Sequence, residues 1–160
     1  MRANGSNRAH LCARRQRGRV LPKDISLPHD SEAIAARRIL VVEDHDLIGL
    51  LLSDMLEEMG HSVCAVVASE QAAIAAAATH RPDLIIADAS LAHGSGLAAM
   101  ATMLRVRWVP HIYMSGNPIS WGVLPRDAVM LRKPFNREDL AHAIFKAIHT
   151  PPVSAIRILA

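Results

Sequence analysis

The stretch RILVVEDH, residues 38–45, places a short run of branched apolar residues directly before an acidic pair. Such a run is typical of a strand in a parallel sheet that helices cover on both faces. Residues 46–59 follow with apolar side chains at helical spacing, and Gly60 ends the segment. The pattern predicts a strand, an acidic turn and an amphipathic helix. The inward face of this helix is predicted to hold Ile48, Leu51, Leu52, Met55 and Met59.

The same alternation of apolar run and helical segment continues toward the C-terminus. Further strands are predicted over residues 62–67, 83–88, 109–115 and 128–131. Further helices are predicted over residues 69–79, 97–106 and 136–149. Repetition of this β-α unit predicts an α/β fold, with a five-stranded parallel sheet wrapped by helices.

Charge divides the chain into two parts. Residues 1–38 hold nine basic and three acidic residues, whereas residues 39–160 hold nine basic and twelve acidic ones. Residues 1–37 also lack apolar periodicity, so we predict a basic, disordered N-terminal extension. No aromatic residue interrupts its arginines, so we do not expect it to bind nucleic acid. A globular domain at 38–149 and a tail at 150–160 complete the predicted organisation.

Composition excludes several classes of protein. No apolar run in the sequence approaches the roughly 18 residues that a membrane span needs. No apolar segment of a secretory signal follows the basic N-terminus. Cys12 and Cys64 lie far apart and outside any zinc-ligand spacing, which argues against a disulfide scaffold and a zinc site. We therefore expect a cytoplasmic protein that does not associate with membranes.

Polar side chains follow the predicted strands at the points where the strands end. Glu43 and Asp44 follow the first, Asp88 ends the third, Ser115 ends the fourth and Lys133 follows the fifth. Ligands of such sheets bind beyond the carboxyl ends of the strands, so we expect these side chains to meet at one rim. The simpler reading of the acidic pair is that it caps the helix that follows.

The chemistry of these side chains is mutually compatible. Three clustered carboxylates would each be driven toward protonation without a counter-charge, and an oxygen-only ligand set favours Mg²⁺. A carboxylate beside Mg²⁺ can attack a phosphoryl donor and become an acyl phosphate. A lysine neutralises the phosphoryl oxygens, and a hydroxyl can bond the new phosphate and move with it.

Four motifs, at residues 38–45, 82–91, 113–116 and 131–135, follow one another at the predicted strand ends. Together they resemble the receiver domain of two-component response regulators. The resemblance covers residues 38–149 and implies a flavodoxin-like, doubly wound sheet with strand order 2-1-3-4-5. The segment SGNPISWGVLP before LRKPF also resembles a short stand-alone receiver subgroup of alphaproteobacteria. The motifs are RILVVEDH at 38–45, PDLIIADASL at 82–91, YMSG at 113–116 and LRKPF at 131–135.

The resemblance also implies a role for individual residues, with Mg²⁺ as the cofactor. The phosphoacceptor would be Asp88. The ligands of Mg²⁺ would be Glu43, Asp44, Asp88 and the backbone carbonyl of Ser90. The remaining family positions are the switch hydroxyl at Ser115, the phosphate-binding lysine at Lys133 and the commonly cis proline at Pro134.

Two features depart from the family pattern. Met130 stands where many receivers carry an aromatic residue that swings inward on phosphorylation, so Ser115 would act without that partner. Only 17 residues separate Ser115 from Lys133, about one helical turn fewer than is usual in the family. We therefore predict a shortened or irregular fourth helix between the fourth and fifth strands, on the face that receivers usually present to their targets.

The resemblance implies a signalling switch rather than an ordinary enzyme, although a receiver promotes its own phosphorylation and dephosphorylation. The phosphoryl donor would be a sensor histidine kinase or a histidine phosphotransfer protein. Because no output domain follows the last predicted helix, we expect output through binding to an unidentified protein target, with a homodimer as a further assembly.

Two other functions remain open. A Mg²⁺-dependent phosphohydrolase or a Toprim-type nucleotidyl transferase could share this topology, but both usually carry a DxD motif where this chain has Asp88-Ala89-Ser90. A receiver-like module that binds its target without phosphorylation is the other alternative. The intact acidic cluster argues against it, whereas Met130 keeps it open.

Overall fold

The computed structural model describes residues 35–117, 124–125 and 127–152. Most of the predicted N-terminal extension, residues 1–34, lies outside the described residues, as do residues 153–160 of the predicted tail. The strands are β1 (Arg38–Val42), β2 (Ser62–Val67), β3 (Leu84–Asp88), β4 (His111–Ser115) and β5 (Val129–Arg132). The helices are α1 (Asp46–Glu58), α2 (Glu70–His80), α3 (Gly96–Val106) and α4 (Arg137–His149).

The five strands form one parallel sheet in the order β2-β1-β3-β4-β5, which confirms the predicted fold class. The chain moves outward from β1 to β2 and then crosses back to β3 on the other side of β1. The strand order therefore reverses between β1 and β3, which is where sheets of this kind bind their ligands.

Alternate residues of the central strands fill two separate layers of core. Ile39 and Val41 of β1 pack with α1 and α4, whereas Leu40 and Val42 pack with α2 and α3. All four side chains are fully buried, and burying such a side chain stabilises a fold by about 1.5–3 kcal/mol. Helices on both faces explain why β1 reads as an unbroken apolar run.

Side-chain caps fix the first turns of three helices. Ser69 accepts a hydrogen bond from the Ala72 N–H at 3.3 Å, and Ser95 accepts one from the Ala98 N–H at 3.3 Å. Asn136 and Asp139 form a reciprocal capping box at the start of α4. These caps hold the helix N-termini beside the carboxyl ends of the strands.

The predicted inward face of α1 is wrong at one position. Leu51 is 54% exposed, and Leu47 and Leu50 beside it are also exposed. Leu52, which was predicted to face inward, and Leu56, which was not, both pack in the core. Apolar residues occur on more than one side of this helix, so periodicity alone does not identify the side that packs on the sheet.

The prediction of a shortened or irregular helix concerns the connection from β4 to β5. Residues 118–123 and 126, on which most of that prediction falls, lie outside the described residues. The described residues 116–117, 124–125 and 127–128 form bends, turns or unassigned backbone and contain no helix.

Across the described part of the chain, no helix has the length and apolar character needed to span a membrane.

Candidate functional site

Three carboxylates meet at the carboxyl ends of β1 and β3. Each of Glu43, Asp44 and Asp88 offers an oxygen that lies within 4.8 Å of the oxygens of the other two. The strands bring them together because β1 and β3 are neighbours, with Val42 in register with Ala87. Glu43 is only 3% exposed, so its charge is largely removed from water and requires a nearby compensating group.

Lys133 supplies that compensating charge. Its Nζ donates to Glu43 Oε2 at 2.6 Å and to Asp88 Oδ2 at 2.5 Å, forming a bridge between the two carboxylates. Burial would lower the pKa of Lys133, but its hydrogen bonds to Asp88 and Glu43 and their negative charges raise the pKa above its ordinary value. The lysine therefore stays cationic at neutral pH.

The backbone of Lys133 is also held in place. Its N–H donates to the Ser115 carbonyl at 2.8 Å, which ties the end of β5 to the end of β4. The Lys133–Pro134 peptide bond is cis. The side chain then reaches past β4 to the carboxylates at β1 and β3.

Asp44 is half-buried and has a partner that its sequence position does not indicate. Its Oδ2 accepts the backbone N–H of Ala92, in the loop after β3, at 2.6 Å. Asp44 does not cap α1, because His45 is the N-cap residue and no side chain bonds the first turn of that helix. Asp44 therefore connects the end of β1 to the loop after β3.

Ser115 is buried at the end of β4 and interacts with the next residues of its own chain. Its hydroxyl donates to the Asn117 carbonyl at 2.8 Å and accepts the Asn117 N–H at 3.2 Å. Among the described residues, Asn117 is its sole hydrogen-bond partner, so the hydroxyl is not bonded to Asp88 or Lys133. Ser90, two residues past Asp88, is exposed and donates its N–H to Asp88 Oδ1 at 2.9 Å.

An aromatic residue lies next to Met130 on the neighbouring strand. Met130 of β5 is half-buried and in register with Tyr113 of β4, which is almost fully buried. Burial, assisted by the negative charge of Asp127, raises the pKa of the Tyr113 phenol to about 12. The same Asp127 accepts the indole N–H of Trp108 at 3.3 Å. Tyr113 thus lies on the same side of the sheet as Met130.

The backbone approaches closely where β3 leads into α3. A Cβ atom placed on Gly96 would lie 1.7 Å from the Asp88 carbonyl oxygen, so no larger residue fits there without displacing backbone. The first turn of α3 is therefore packed directly against Asp88.

The donor set fits a hard divalent cation. Glu43, Asp44 and Asp88 provide only carboxylate oxygens, which Mg²⁺ prefers over nitrogen or sulfur ligands. One ammonium group faces three carboxylates, so the cluster keeps a negative excess that a cation would offset. Mg²⁺ bound there would lie next to the Asp88 carboxylate.

Three contacts at this rim were not predicted from the sequence, and two of them are made by backbone N–H groups. The Ala92 N–H bonds Asp44, and the Ser95 N–H bonds Glu70 Oε2 at 3.0 Å. Every residue except proline has a backbone N–H, so these donors leave no signature in the sequence. The bridge from Lys133 to Glu43 was missed for a different reason, because strand-end positions do not show which carboxylates a long side chain reaches.

Comparison with known proteins gives a consistent result. Residues 39–145 match the family model of the response regulator receiver domain. The chain is 33% identical over 143 residues to the phyllosphere-induced regulator PhyR of Methylorubrum extorquens, covering 82% of this chain and 54% of that protein. It is 32% identical over 123 residues to the transcriptional regulatory protein PdtaR of Mycobacterium tuberculosis, covering 74% of this chain and 60% of that one.

A solved structure agrees with the fold. The receiver domain of PhyR from Erythrobacter litoralis superposes with a TM-score of 0.68 at 28% identity, covering 76% of this chain and 98% of that domain. The chain spans only between half and two thirds of the length of the two curated relatives it matches.

Proposed function

The chain belongs to the response regulator receiver family, and on that premise we propose that it is a phosphorylation switch that accepts a phosphoryl group on Asp88. The donor is a phosphohistidine on a sensor histidine kinase or on a histidine phosphotransfer protein. The observation that carries the proposal is the bridge of Lys133 Nζ between Asp88 and Glu43, with Asp44 beside them. We also propose a cytoplasmic location, because such kinases draw their phosphate from ATP.

The transfer proceeds by attack of a carboxylate oxygen of Asp88 on phosphorus. The bond between phosphorus and the donor imidazole nitrogen breaks, and the electron pair leaves with the imidazole. The Ser90 N–H on Oδ1 and the Lys133 ammonium on Oδ2 hold the carboxylate in one orientation before attack. Lys133 then follows the charge onto the phosphoryl oxygens, where a preorganised cation is most effective.

Mg²⁺ is the cofactor we propose for this transfer. Glu43, Asp44, Asp88 and the backbone carbonyl of Ser90 would hold it, and it would neutralise negative charge on the phosphoryl group and the attacking carboxylate. Asp44 can keep its bond to the Ala92 N–H through one oxygen and offer the other to the ion.

Ser115 couples the phosphoryl group to the surface of the protein. Its hydroxyl must leave Asn117 to donate to a phosphoryl oxygen on Asp88. That exchange releases the start of the connection between β4 and β5. A phosphate adds nearly two negative charges and strong acceptors, which suffices to bias such a local rearrangement. The changed surface then binds a downstream protein, which is the proposed output of the chain.

The test is the intact mass of the protein after incubation with acetyl phosphate and Mg²⁺. Wild type should gain the mass of one phosphoryl group, and Asp88→Asn should gain none. Asp54→Asn is the matched control, because Asp54 is an exposed aspartate on α1 and lies outside the cluster. Equal labelling of Asp88→Asn and wild type would refute the proposal, as would no labelling of wild type.

A further inference from the structure

The loop between β3 and α3, residues 89–95, is attached at its far end to a carboxylate outside the acidic cluster. Glu70, the first residue of α2, accepts the Ser95 N–H on Oε2 at 3.0 Å. Its side chain also lies over Gly94, where an added Cβ atom would come within 2.7 Å of the Glu70 Cβ. The end of the loop is thus pressed against Glu70 and bonded to it.

A continuous set of backbone contacts leads from Glu70 to Asp88. Ser95 pairs with Ser90 in an isolated antiparallel bridge across the loop. Ser90 in turn donates its N–H to Asp88 Oδ1 at 2.9 Å. The loop residue that Glu70 holds is therefore paired with the residue that orients the Asp88 carboxylate.

A second carboxylate holds the middle of the same loop. Asp44 Oδ2 accepts the Ala92 N–H at 2.6 Å, and Asp44 also offers an oxygen within 4.8 Å of oxygens of Glu43 and Asp88. A shift of the loop would therefore move Asp44 relative to the other two carboxylates. The geometry of the acidic cluster depends on the conformation of this loop.

We propose that Glu70 is a positioning residue that fixes the loop at 89–95 and thereby sets the spacing of the oxygens that bind Mg²⁺. The inference rests on the proposed function, since it assigns Glu70 a role at that same site. Glu70 does not touch the ion or the phosphoryl group. It acts through Ser95, Ser90 and Asp44.

Glu70 is itself well fixed for this role. The Ser69 side chain caps α2, and the Glu70 N–H faces the His93 carbonyl at 3.4 Å. A carboxylate in the first turn of a helix is also favoured by the helix dipole. The loop is therefore held from a rigid helix rather than from another loop.

The experiment is an NMR titration of the full chain with Mg²⁺, combined with hydrogen exchange of the Ser95 amide. Glu70→Ala should weaken Mg²⁺ binding by about three- to tenfold, which is less than the roughly tenfold or more that follows loss of a group bonded directly to a metal ligand, because Glu70 acts through the loop. Exchange of the Ser95 amide should accelerate in the same variant, because its N–H loses its acceptor. Glu70→Gln keeps an oxygen acceptor and should stay within about twofold of wild-type affinity.

Glu138→Ala is the matched control. Glu138 is also a glutamate in the first turn of a helix, and it makes no side-chain hydrogen bond among the described residues. Its removal should leave both Mg²⁺ affinity and Ser95 exchange at wild-type values. If Glu70→Ala fails to fold, Glu70→Asp makes the same comparison, because it keeps the charge and withdraws the acceptor by one methylene.

The outcomes separate the two proposals. Wild-type protein that does not bind Mg²⁺ would contradict the proposed function and this inference together. Wild-type binding with an unchanged affinity in Glu70→Ala would overturn only the role of Glu70. The role of Glu70 would also be overturned if hydrogen exchange of the Ser95 amide were unchanged in Glu70→Ala. The same holds if Glu70→Gln lost as much Mg²⁺ affinity as Glu70→Ala.

Discussion

The rim of the sheet has two halves that differ in how far they are assembled. In the acidic half, Lys133 follows β5 and bonds both Asp88 of β3 and Glu43, which follows β1. In the hydroxyl half, Ser115 bonds the backbone of Asn117, two residues along its own chain. One half is therefore fixed by contacts distant in sequence, and the other by a local turn.

This difference assigns separate tasks to the two halves. Under the proposed function, the acidic half is preorganised for attack on phosphorus, which requires charges that are in place before the reaction. The hydroxyl half can rearrange at low cost, because one hydrogen bond contributes only about 0.5–1.5 kcal/mol net. The proposal thus places the chemistry in the rigid half and the conformational response in the adaptable half.

The largest effect expected is on folding, at the two glycines that flank the rim. Gly96→Ala would place a Cβ 1.7 Å from the Asp88 carbonyl oxygen, so we expect a loss of about 3 kcal/mol or more in unfolding free energy. Gly116→Ala, beside Ser115, meets no atom of the described residues within 4 Å and should change stability by less than about 0.5 kcal/mol. Urea denaturation measures the free energy of unfolding of both variants. Equal losses would contradict the division of the rim into a rigid half and an adaptable half.

Lys133 should affect both chemistry and stability. Lys133→Ala leaves the buried Glu43 carboxylate without its cation, which should cost about 1–3 kcal/mol of unfolding free energy. The rate of labelling by acetyl phosphate should fall by about a hundredfold. Timed quenching followed by intact-mass measurement gives the rate. The control is Arg132→Ala, because Arg132 is adjacent to Lys133 and exposed. A rate within a few-fold of wild type would show that Lys133 does not assist the transfer.

Removal of the Ser115 hydroxyl should abolish the conformational response to phosphorylation while leaving phosphorylation itself nearly unchanged. Ser115→Ala should be phosphorylated at a rate within about threefold of wild type, but it should lose the phosphorylation-dependent shift of the Asn117 amide. NMR spectra recorded with and without acetyl phosphate report that shift. An unchanged shift in Ser115→Ala would mean that the conformational response does not pass through this hydroxyl.

The smallest effect expected lies at the opposite end of the sheet. His61, at the start of β2, has a lowered pKa because it is buried and because Arg37 lies nearby, and its Nδ1 accepts the Arg37 N–H at 3.3 Å. The unfolded chain then binds the proton more readily, so stability should fall modestly as the pH drops below about 6.5. His61→Asn keeps an acceptor without this titration, and denaturation from pH 7.5 to 5.5 should show a flatter dependence than in wild type.

The sequence predicts the fold and the strand ends well, for identifiable reasons. Double burial of β1 and β3 forces unbroken apolar runs, and helix caps such as Ser69 and Asn136 mark where the helices begin. Parallel strands then bring their carboxyl ends together whatever the side chains are. The rim could therefore be anticipated from the order of the motifs.

The finer features could not be predicted from residue types. Glu70 reads as a first-turn glutamate, and only the path of the loop shows that it accepts the Ser95 N–H. Leu51 satisfies helical spacing but faces outward, since two apolar sides compete on α1. The partner of Ser115 is a backbone group, which sequence does not specify.

The position of the phosphoryl group tests the central claim most directly. Phosphorylated protein can be reduced with borohydride, which converts an aspartyl phosphate to homoserine, and its peptides can then be sequenced by mass spectrometry. We predict homoserine at position 88 and at no other carboxylate of the rim. Homoserine at position 44, 2-amino-5-hydroxypentanoic acid (the reduction product of a glutamyl phosphate) at position 43, or the absence of any reduced residue from labelled protein would contradict the assignment of Asp88 as the phosphoacceptor.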